Sequence, residues 1–356
     1  MRIITRYIAV QFFKPFLYGM GLFSLLIFLA DFFDHLNMLL RSQAPFHIIF
    51  QYEWLRVPFW AVQVIPVATL LATLISLGRL IRMGEWMAME ISGFHPRQLF
   101  KPLLLCSLGI VAFSFAAQEI ILPACTRKLD RLYQQYIYKG PVRTHWEDVV
   151  LGAGPGKFLT AHVFDSHLGR MERVVADFYV DDTLARELDA IRAVWDGGRG
   201  IWIFERGVLR VFGEDNSVIE KPFQELISDI TISPQNLIPE EKDPEGMSMR
   251  ELLQHIRKLK RLGFSQRKEW VVFYKKLAYP FSNVLLCILG IPFAIKLRGG
   301  SRALNFGCAV GVAFLYWWLT SVGQAIGESG GLPPFVSSWI PNILFGLVGI
   351  YFLLRL

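Results

Sequence analysis

Two stretches of this sequence have the spacing of loops that bind ligands or perform catalysis. Gly152-Ala153-Gly154-Pro155-Gly156-Lys157 invites comparison with a phosphate-binding loop, in which backbone N–H groups cradle a phosphate and a hydroxyl after the lysine holds magnesium. Its outer glycine is one residue too close, and Phe158 stands where Ser or Thr is required. A turn before a strand is the reading that remains. Gly327-Glu328-Ser329-Gly330-Gly331 matches the G-x-S-x-G nucleophile elbow, which needs a preceding strand and a histidine base further along the chain. Here a long apolar run precedes it, and the last of the seven histidines is His255. A flexible loop between helices is expected, with Ser329→Ala leaving any activity unchanged.

Nothing else in the chain is arranged for catalysis. There is no H-E-x-x-H, no paired His/Cys ligand set and no close catalytic carboxylate pair, so no enzyme, no metal site and no cofactor are expected. The four cysteines, Cys106, Cys125, Cys287 and Cys308, include no C-x-x-C, and three lie in apolar runs. Neither a zinc site nor a disulfide framework follows. The formal charge of +7 comes without a basic stripe interleaved with aromatics, so nucleic acid is not implied. With 356 residues, 53% of them hydrophobic and 29 of them Phe, the composition points to several membrane spans.

Six apolar runs are long enough for a hydrocarbon core, which takes about 20 residues of helix. They lie near 12–33, 57–77, 99–122, 272–295, 303–326 and 336–354. The first is too long for a cleavable signal peptide and lacks a small-residue cleavage site, so it should stay as an anchor. The predicted layout is spans 1–3 in residues 1–124, an inserted domain over 125–268, and spans 4–6 in 269–356. With both termini in the cytoplasm, the cytoplasmic segments hold eleven cations: Arg2, Arg6, Lys14, Arg79, Arg82, Arg97, Lys101, Lys296, Arg298, Arg302 and Arg355. The short loops opposite hold two, Arg41 and Arg56. Cytoplasmic loops carry the excess of Lys and Arg, which puts the inserted domain outside.

That domain reads as β. Strand-like runs cover 157–164, 171–180, 200–204, 208–212 and 218–226, with turn signals at Asp165-Ser166-His167-Leu168-Gly169, Asp196-Gly197-Gly198 and Glu214-Asp215-Asn216. Residues 184–195 also fit a helix and are read as strand from their neighbours. Closely spaced short strands predict a sandwich or jelly roll. An amphipathic helix closes the domain, opened by a capping box of Ser248 and Glu251 and stopped by Gly263. Its apolar stripe is Leu252, Ile256, Leu259 and Leu262. Arg257, Lys258, Lys260 and Arg261 are read as a solvated face.

Charges at the span edges have an alternative to simple anchoring. Arg41, Arg56, Arg127, Lys128, Arg131, Lys275 and Lys276 fall near the outer interface, with Asp31 and Asp34 close by. Singly, each fits a snorkelling side chain; as a set they form a cationic collar suited to an anionic amphiphile. Gly307 and Gly311 make a G-x-x-x-G, which permits close helix approach. Pro58, Pro66, Pro280, Pro292 and Pro341 fall in or at the ends of spans and free backbone groups there.

Residues 78–98, between spans two and three, predict a short surface helix. Leu80, Met83 and Met87 share a face, and Arg82 and Glu85 make an i,i+3 pair. Gly93 and Phe94 read as its cap, and Pro96 starts the next helix. Such an element is a docking device.

Several short motifs then fall in order on these elements: Leu77-Gly78-Arg79-Leu80 with Gly84-Glu85, Ile91-Ser92-Gly93-Phe94, Leu122-Pro123, Met247-Ser248 with Glu251-Leu252, Gly290-Ile291-Pro292, and Trp339-Ile340-Pro341-Asn342. With three spans, an external β domain and three more spans, the chain resembles the LptF/LptG permease family, the membrane subunits of the lipopolysaccharide export ABC transporter of the bacterial inner membrane. The Asp31/Asp34 pair looks more like LptG than LptF. The resemblance implies a heterodimer with the paralogous subunit, a dimer of the LptB ATPase in the cytoplasm, and LptC with the periplasmic LptA bridge receiving lipid. It makes residues 78–98 a coupling helix, with Glu85 facing LptB and Arg82, Glu90, Gly93 and Phe94 beside it. It makes Arg41, Arg127 and Arg131, with neighbouring Lys128, the contacts for lipid phosphates. Two other readings stay open on the residues: a permease for another lipid, and a membrane-anchored scaffold for envelope assembly that transports nothing.

Overall fold

The computed structural model describes residues 2–41, 45–94, 96–138, 145–180, 183–213, 217–237, 243–296 and 302–355. The N-terminal helices are α1 (Arg2–Arg41), α2 (Phe46–Arg82), α3 (Glu85–Ile91), α4 (Pro96–Ala116) and α5 (Leu122–Leu132). π-helical turns at Ala117–Ile121 and Tyr133–Tyr138 flank α5. Strands β1 (His145–Gly154), β2 (Lys157–Asp165), β3 (Arg170–Val180), β4 (Thr183–Asp196), β5 (Ile201–Phe212) and β6 (Val218–Ile227) follow. After them come α6 (Pro234–Leu237), α7 (Met249–Leu262), α8 (Arg267–Ala278), α9 (Ser282–Lys296), α10 (Arg302–Ser329) and α11 (Pro334–Leu354).

Among the described residues, six helical stretches are long and apolar enough to cross a membrane: Ile3–Leu36, Phe46–Arg82, Gln98–Tyr136, Arg267–Lys296, Phe306–Ser329 and Pro334–Leu354. They match the six expected runs. The chain is a helical membrane protein with an inserted β domain. One compact unit comprises residues 1–139, 244–252 and 267–356; the other comprises 140–243 and 253–266.

In the helical unit α2 is the central element. Its sequence is apolar on every side, and every residue from Val64 to Leu74 is buried, as expected for a helix surrounded by others. It packs on α1, α9, α10 and α5. Pro280 breaks the fourth span into α8 and α9 around a 3₁₀ turn at Tyr279–Phe281. Side-chain donors reach carbonyls at the break: Asn283 donates to the Pro280 carbonyl at 2.8 Å and Asn342 of α11 to the Ala278 carbonyl at 2.7 Å. Tyr316 of α10 in turn donates to Asn342 at 3.0 Å. In an apolar medium unmet polar groups cost several kcal/mol, so the bonds of Asn342 help fix where α8, α10 and α11 meet.

The six strands form one antiparallel sheet in sequential order. The expected sandwich is refined here, because the strands meander without crossing over. One row of the sheet departs from regular pairing. The pairing omits one row on every strand, where Asp148, His162, Arg173, Ile191, Arg206 and Gln224 stand opposite one another. Asp148, Arg173 and Arg206 in that row have φ of 48°, 46° and 50°, a conformation costly for residues with a Cβ. Phe164, Trp202 and Phe204 on one side of the row and Leu151, Leu159 and Leu188 on the other belong to one core. Residues 184–195 lie within strand β4, and the runs 200–204 and 208–212 are the single strand β5. The Glu214-Asp215-Asn216 turn lies outside the described residues.

Candidate functional site

The stretch 78–98 is two helices rather than one. α2 runs on to Arg82, Gly84 takes φ 73°, and α3 restarts at Glu85. The expected i,i+3 pair is therefore split across a break, because only a glycine adopts that left-handed turn without strain. Among the described residues Glu85 pairs with Tyr7 of α1 instead, whose hydroxyl donates to Glu85 Oε2 at 2.8 Å. Leu80 is buried in the core while Met83 and Met87 are exposed, so the three do not share a face.

The far end of α3 is capped as expected. Phe94 N–H donates to the Met89 carbonyl at 3.1 Å and Gly93 N–H to the Glu90 carbonyl at 2.9 Å, with Gly93 at φ 88°. This is the paired-bond Schellman cap. A seven-residue helix is too short to hold itself in water, so α3 depends on an anchor, and Trp86 is that anchor. It is 4% exposed, stacks on Phe100 of α4 at 5.6 Å, and donates from Nε1 to Glu90 Oε1 at 2.8 Å. Glu90 thus holds the anchor in place. The opposite side carries Met87 and Ile91, 53% and 82% exposed, one turn apart.

The second candidate site is the charged end of the bundle. Arg127, Lys128 and Arg131 are exposed on α5, with Arg127 and Arg131 one turn apart. Arg41 ends α1, and its side chain lies outside the described residues. Much of the expected collar is already paired. Arg56 meets Asp31 at 2.8 Å, joining α1 to α2; Lys275 meets Glu245 at 2.8 Å; Arg127 meets Glu251 at 2.7 Å. Asp31 is buried in its pair and Asp34 is exposed.

Glu251 has three ties. The Ser248 N–H donates to it at 2.9 Å, the Ser248 hydroxyl at 3.0 Å, and Arg127 adds a charge. Together they hold its carboxyl below the usual glutamate range. The Glu251 N–H donates back to Ser248 Oγ at 3.2 Å, completing the expected capping box. Glu119, in the π-turn before α5, accepts from the Met249 N–H at 2.9 Å. Two acidic side chains therefore hold the first turn of α7, consistent with the positive end of a helix dipole.

The remaining motifs have structural explanations. Gly327–Gly331 is the last turn of α10 and its cap: Gly331 N–H donates to the Ile326 carbonyl at 3.0 Å, Gly330 has φ 88°, and Ser329 Oγ donates to the Ile326 carbonyl at 3.0 Å. The expected loop is thus an ordered helix terminus. Gly152–Lys157 is the β1–β2 hairpin, followed by a strand and not by the helix a phosphate loop requires. A Cβ at Gly152 would lie 2.0 Å from the Leu262 carbonyl oxygen, so this glycine admits the end of α7. At Gly307 and Gly311 an added Cβ would meet no described atom within 4 Å. The close helix approach inside this chain uses another pair, Gly323 and Gly327. A Cβ there would come within 2.6 Å of the Ser337 carbonyl oxygen and 2.3 Å of Ser337 Oγ on α11, respectively. The same G-x-x-x-G spacing in the sequence was the available signal for it.

Residues 6–355 match the family described as lipopolysaccharide export system permease LptF/LptG. The chain is 21% identical to the lipopolysaccharide export system permease protein LptG of Escherichia coli (strain K12), over 99% of this chain and 98% of that one. It is also 21% identical to the LptG protein of Haemophilus influenzae, over 81% and 80% of the two chains. With six spans, the inserted β domain and a match along almost its whole length, the chain belongs to the LptF/LptG family of lipopolysaccharide export permeases.

Proposed function

We propose that this chain is the LptG-like permease subunit of an ABC transporter that draws lipopolysaccharide from the inner membrane and passes it to a periplasmic bridge. The observation that carries the coupling part is α3: capped at both ends by left-handed glycines, anchored by Trp86, and presenting Met87 and Ile91 outward. The excess of Arg and Lys on its side of the membrane favours a cytoplasmic position. Glu85 and this apolar pair are the contact for an LptB-type ATPase, and Arg82 adds charge at the rim. The permease works with a paralogous LptF-type subunit, with LptC and LptA taking the lipid onward from the β domain.

Energetics give the division of labour. Each acyl methylene moved into water costs about 0.8 kcal/mol, so a multi-chain lipid must stay sheltered at every stage. Apolar spans and the β domain offer such shelter, whereas the chain's phosphate-loop likeness is a hairpin turn, so a partner must hydrolyse ATP. Arg127, Lys128, Arg131 and Arg41 supply cations for the lipid phosphates; Arg127 must exchange Glu251 for its ligand. The test is to purify the protein with its native partners, identify them, and measure ATP hydrolysis with and without lipopolysaccharide. An ATPase and a paralogue that co-purify, with stimulation by the lipid, are expected. A stable complex without an ATPase would favour the scaffold reading.

A further inference from the structure

A cavity of about 280 Å³ opens within the helical unit, between α2, the π-turn Ala117–Ile121, the 3₁₀ turn Pro244–Gly246, α8 and α10. Its walls are of two kinds. Phe59, Val62, Val272 and Trp317 are apolar, and Gln118, Lys275 and Lys276 bring donors among them. Gln118 is more than nine-tenths buried, and its Nε2 has no hydrogen-bond partner. A buried donor left unmet costs about 1–3 kcal/mol. The π-turn that carries Gln118 is itself a rare geometry, frequent at functional sites.

Lys275 Nζ is held by Glu245 Oε1 at 2.8 Å and Gln324 Oε1 at 3.0 Å, and Lys276 Nζ donates to the Glu245 carbonyl at 2.6 Å. Glu245, Lys275 and Lys276 are the charged side chains lining the cavity among the described residues, which leaves one positive charge in excess. An anion is what such a cavity takes. Its apolar lining residues ask that the anion carry hydrocarbon, and its volume admits one headgroup phosphate with the start of one chain.

We propose that this cavity binds the phosphate group of a lipid, and that the Glu245 carboxylate is the internal anion which that phosphate displaces from Lys275. The unmet Gln118 Nε2 then gains an acceptor. Pro244–Gly246, tied to the bundle through both lysines, loses the Lys275 tie and keeps the Lys276 one. That turn lies close against α5, since a Cβ on Gly246 would fall 2.6 Å from Thr126 Cγ2. Phosphate occupancy is thus read out as movement of the segment through which the chain re-enters the helical unit. The occupant's identity as the exported lipid rests on the function proposed above; the site itself rests on the cavity and its donors.

The experiment uses the full chain in its native complex, in phosphatidylcholine nanodiscs, with apparent Kd measured by native mass spectrometry. The probes are phosphatidic acid, lipopolysaccharide and inorganic phosphate. Removing a charged hydrogen bond should weaken phosphate-lipid binding about tenfold in Lys275→Gln, with Lys275→Arg restoring most of it, while Glu245→Gln tightens binding severalfold and Gln118→Leu weakens it. Opposite signs for Lys275→Gln and Glu245→Gln are the signature of an internal competitor. Weakening by both, or no change in Lys275→Gln, overturns the proposal. The same pattern with inorganic phosphate alone overturns the lipid assignment. If phosphatidic acid follows the pattern and lipopolysaccharide does not, the lipid-phosphate site stands and its occupant is a phospholipid. If lipopolysaccharide stimulates ATP hydrolysis in every variant while no Kd moves, the export function stands and this site is refuted.

Discussion

Replacing Trp86 by alanine should release α3 without disturbing the spans. The indole is 4% exposed, stacked on Phe100, and bonded to Glu90 at 2.8 Å. Truncating a buried aromatic costs about 3–5 kcal/mol, and the low end applies at the margin of a bundle. A seven-residue helix has no propensity reserve to offset this. A loss of about 3 kcal/mol lowers the ratio of docked to undocked α3 by about two orders of magnitude. Amide hydrogen exchange in peptides covering residues 83–94 should therefore quicken about 100-fold in Trp86→Ala. Trp86→Phe keeps the stacking and loses the N–H donor, so an intermediate effect is expected. Glu90→Gln retains a carbonyl acceptor and should change exchange least. Unchanged exchange over 83–94 in Trp86→Ala, or acceleration spread evenly over all six spans, would refute the anchoring role.

The two glycine pairs should separate in thermal unfolding of the detergent-solubilised protein. Gly327→Val forces side-chain atoms into Ser337 and Val271, an overpacking that costs about 1–3 kcal/mol; Gly311→Ala meets open space and should leave the midpoint level or raise it through helix propensity. Protection of the first turn of α7 should depend on pH. The Glu251 carboxyl is depressed below its ordinary value, so its contribution is complete above the unfolded pKa and is lost as pH falls through the folded one. Amide protection at 249–252 should fall in acid, and Glu251→Gln should remove that dependence. Arg127→Ala should raise the pH at which protection is lost, because Glu251 loses one of the groups that stabilise its charge. A profile that stays the same in either variant would mean that the cap is held by other groups.

The six spans were legible because apolar length is a local property of the sequence. The capping box of Ser248 and Glu251 and the Gly93 terminator were legible for the same reason, since each needs only neighbours within one helical turn. Strand β4 was settled by its context: residues 184–195 have an ambiguous period, yet they pair with β3 on one side and β5 on the other. β1 was missed, because its glycine-rich end looked like turn alone and its partner is needed to see a strand. Gly84 was overlooked as a break because the helical pattern on either side of it is good. The partners of the cations lay out of reach. Arg56 with Asp31, Arg127 with Glu251 and Lys275 with Glu245 are 25, 124 and 30 residues apart, and only the packing of different helices brings them together. The cations read as a collar for an anionic amphiphile are therefore in good part paired within the chain.

If α3 couples an ATPase to the spans, lipopolysaccharide-stimulated ATP hydrolysis by the purified complex depends on its outward-facing residues. Loss of a charged or well-packed contact at a docking helix costs about tenfold or more in the coupled rate. Glu85→Ala and Met87→Glu should each abolish most of the stimulation, with spans and β domain intact by hydrogen exchange, while Tyr7→Phe keeps it. Full stimulation in Glu85→Ala and Met87→Glu would contradict the assignment of α3 as the element through which an ATPase drives this permease.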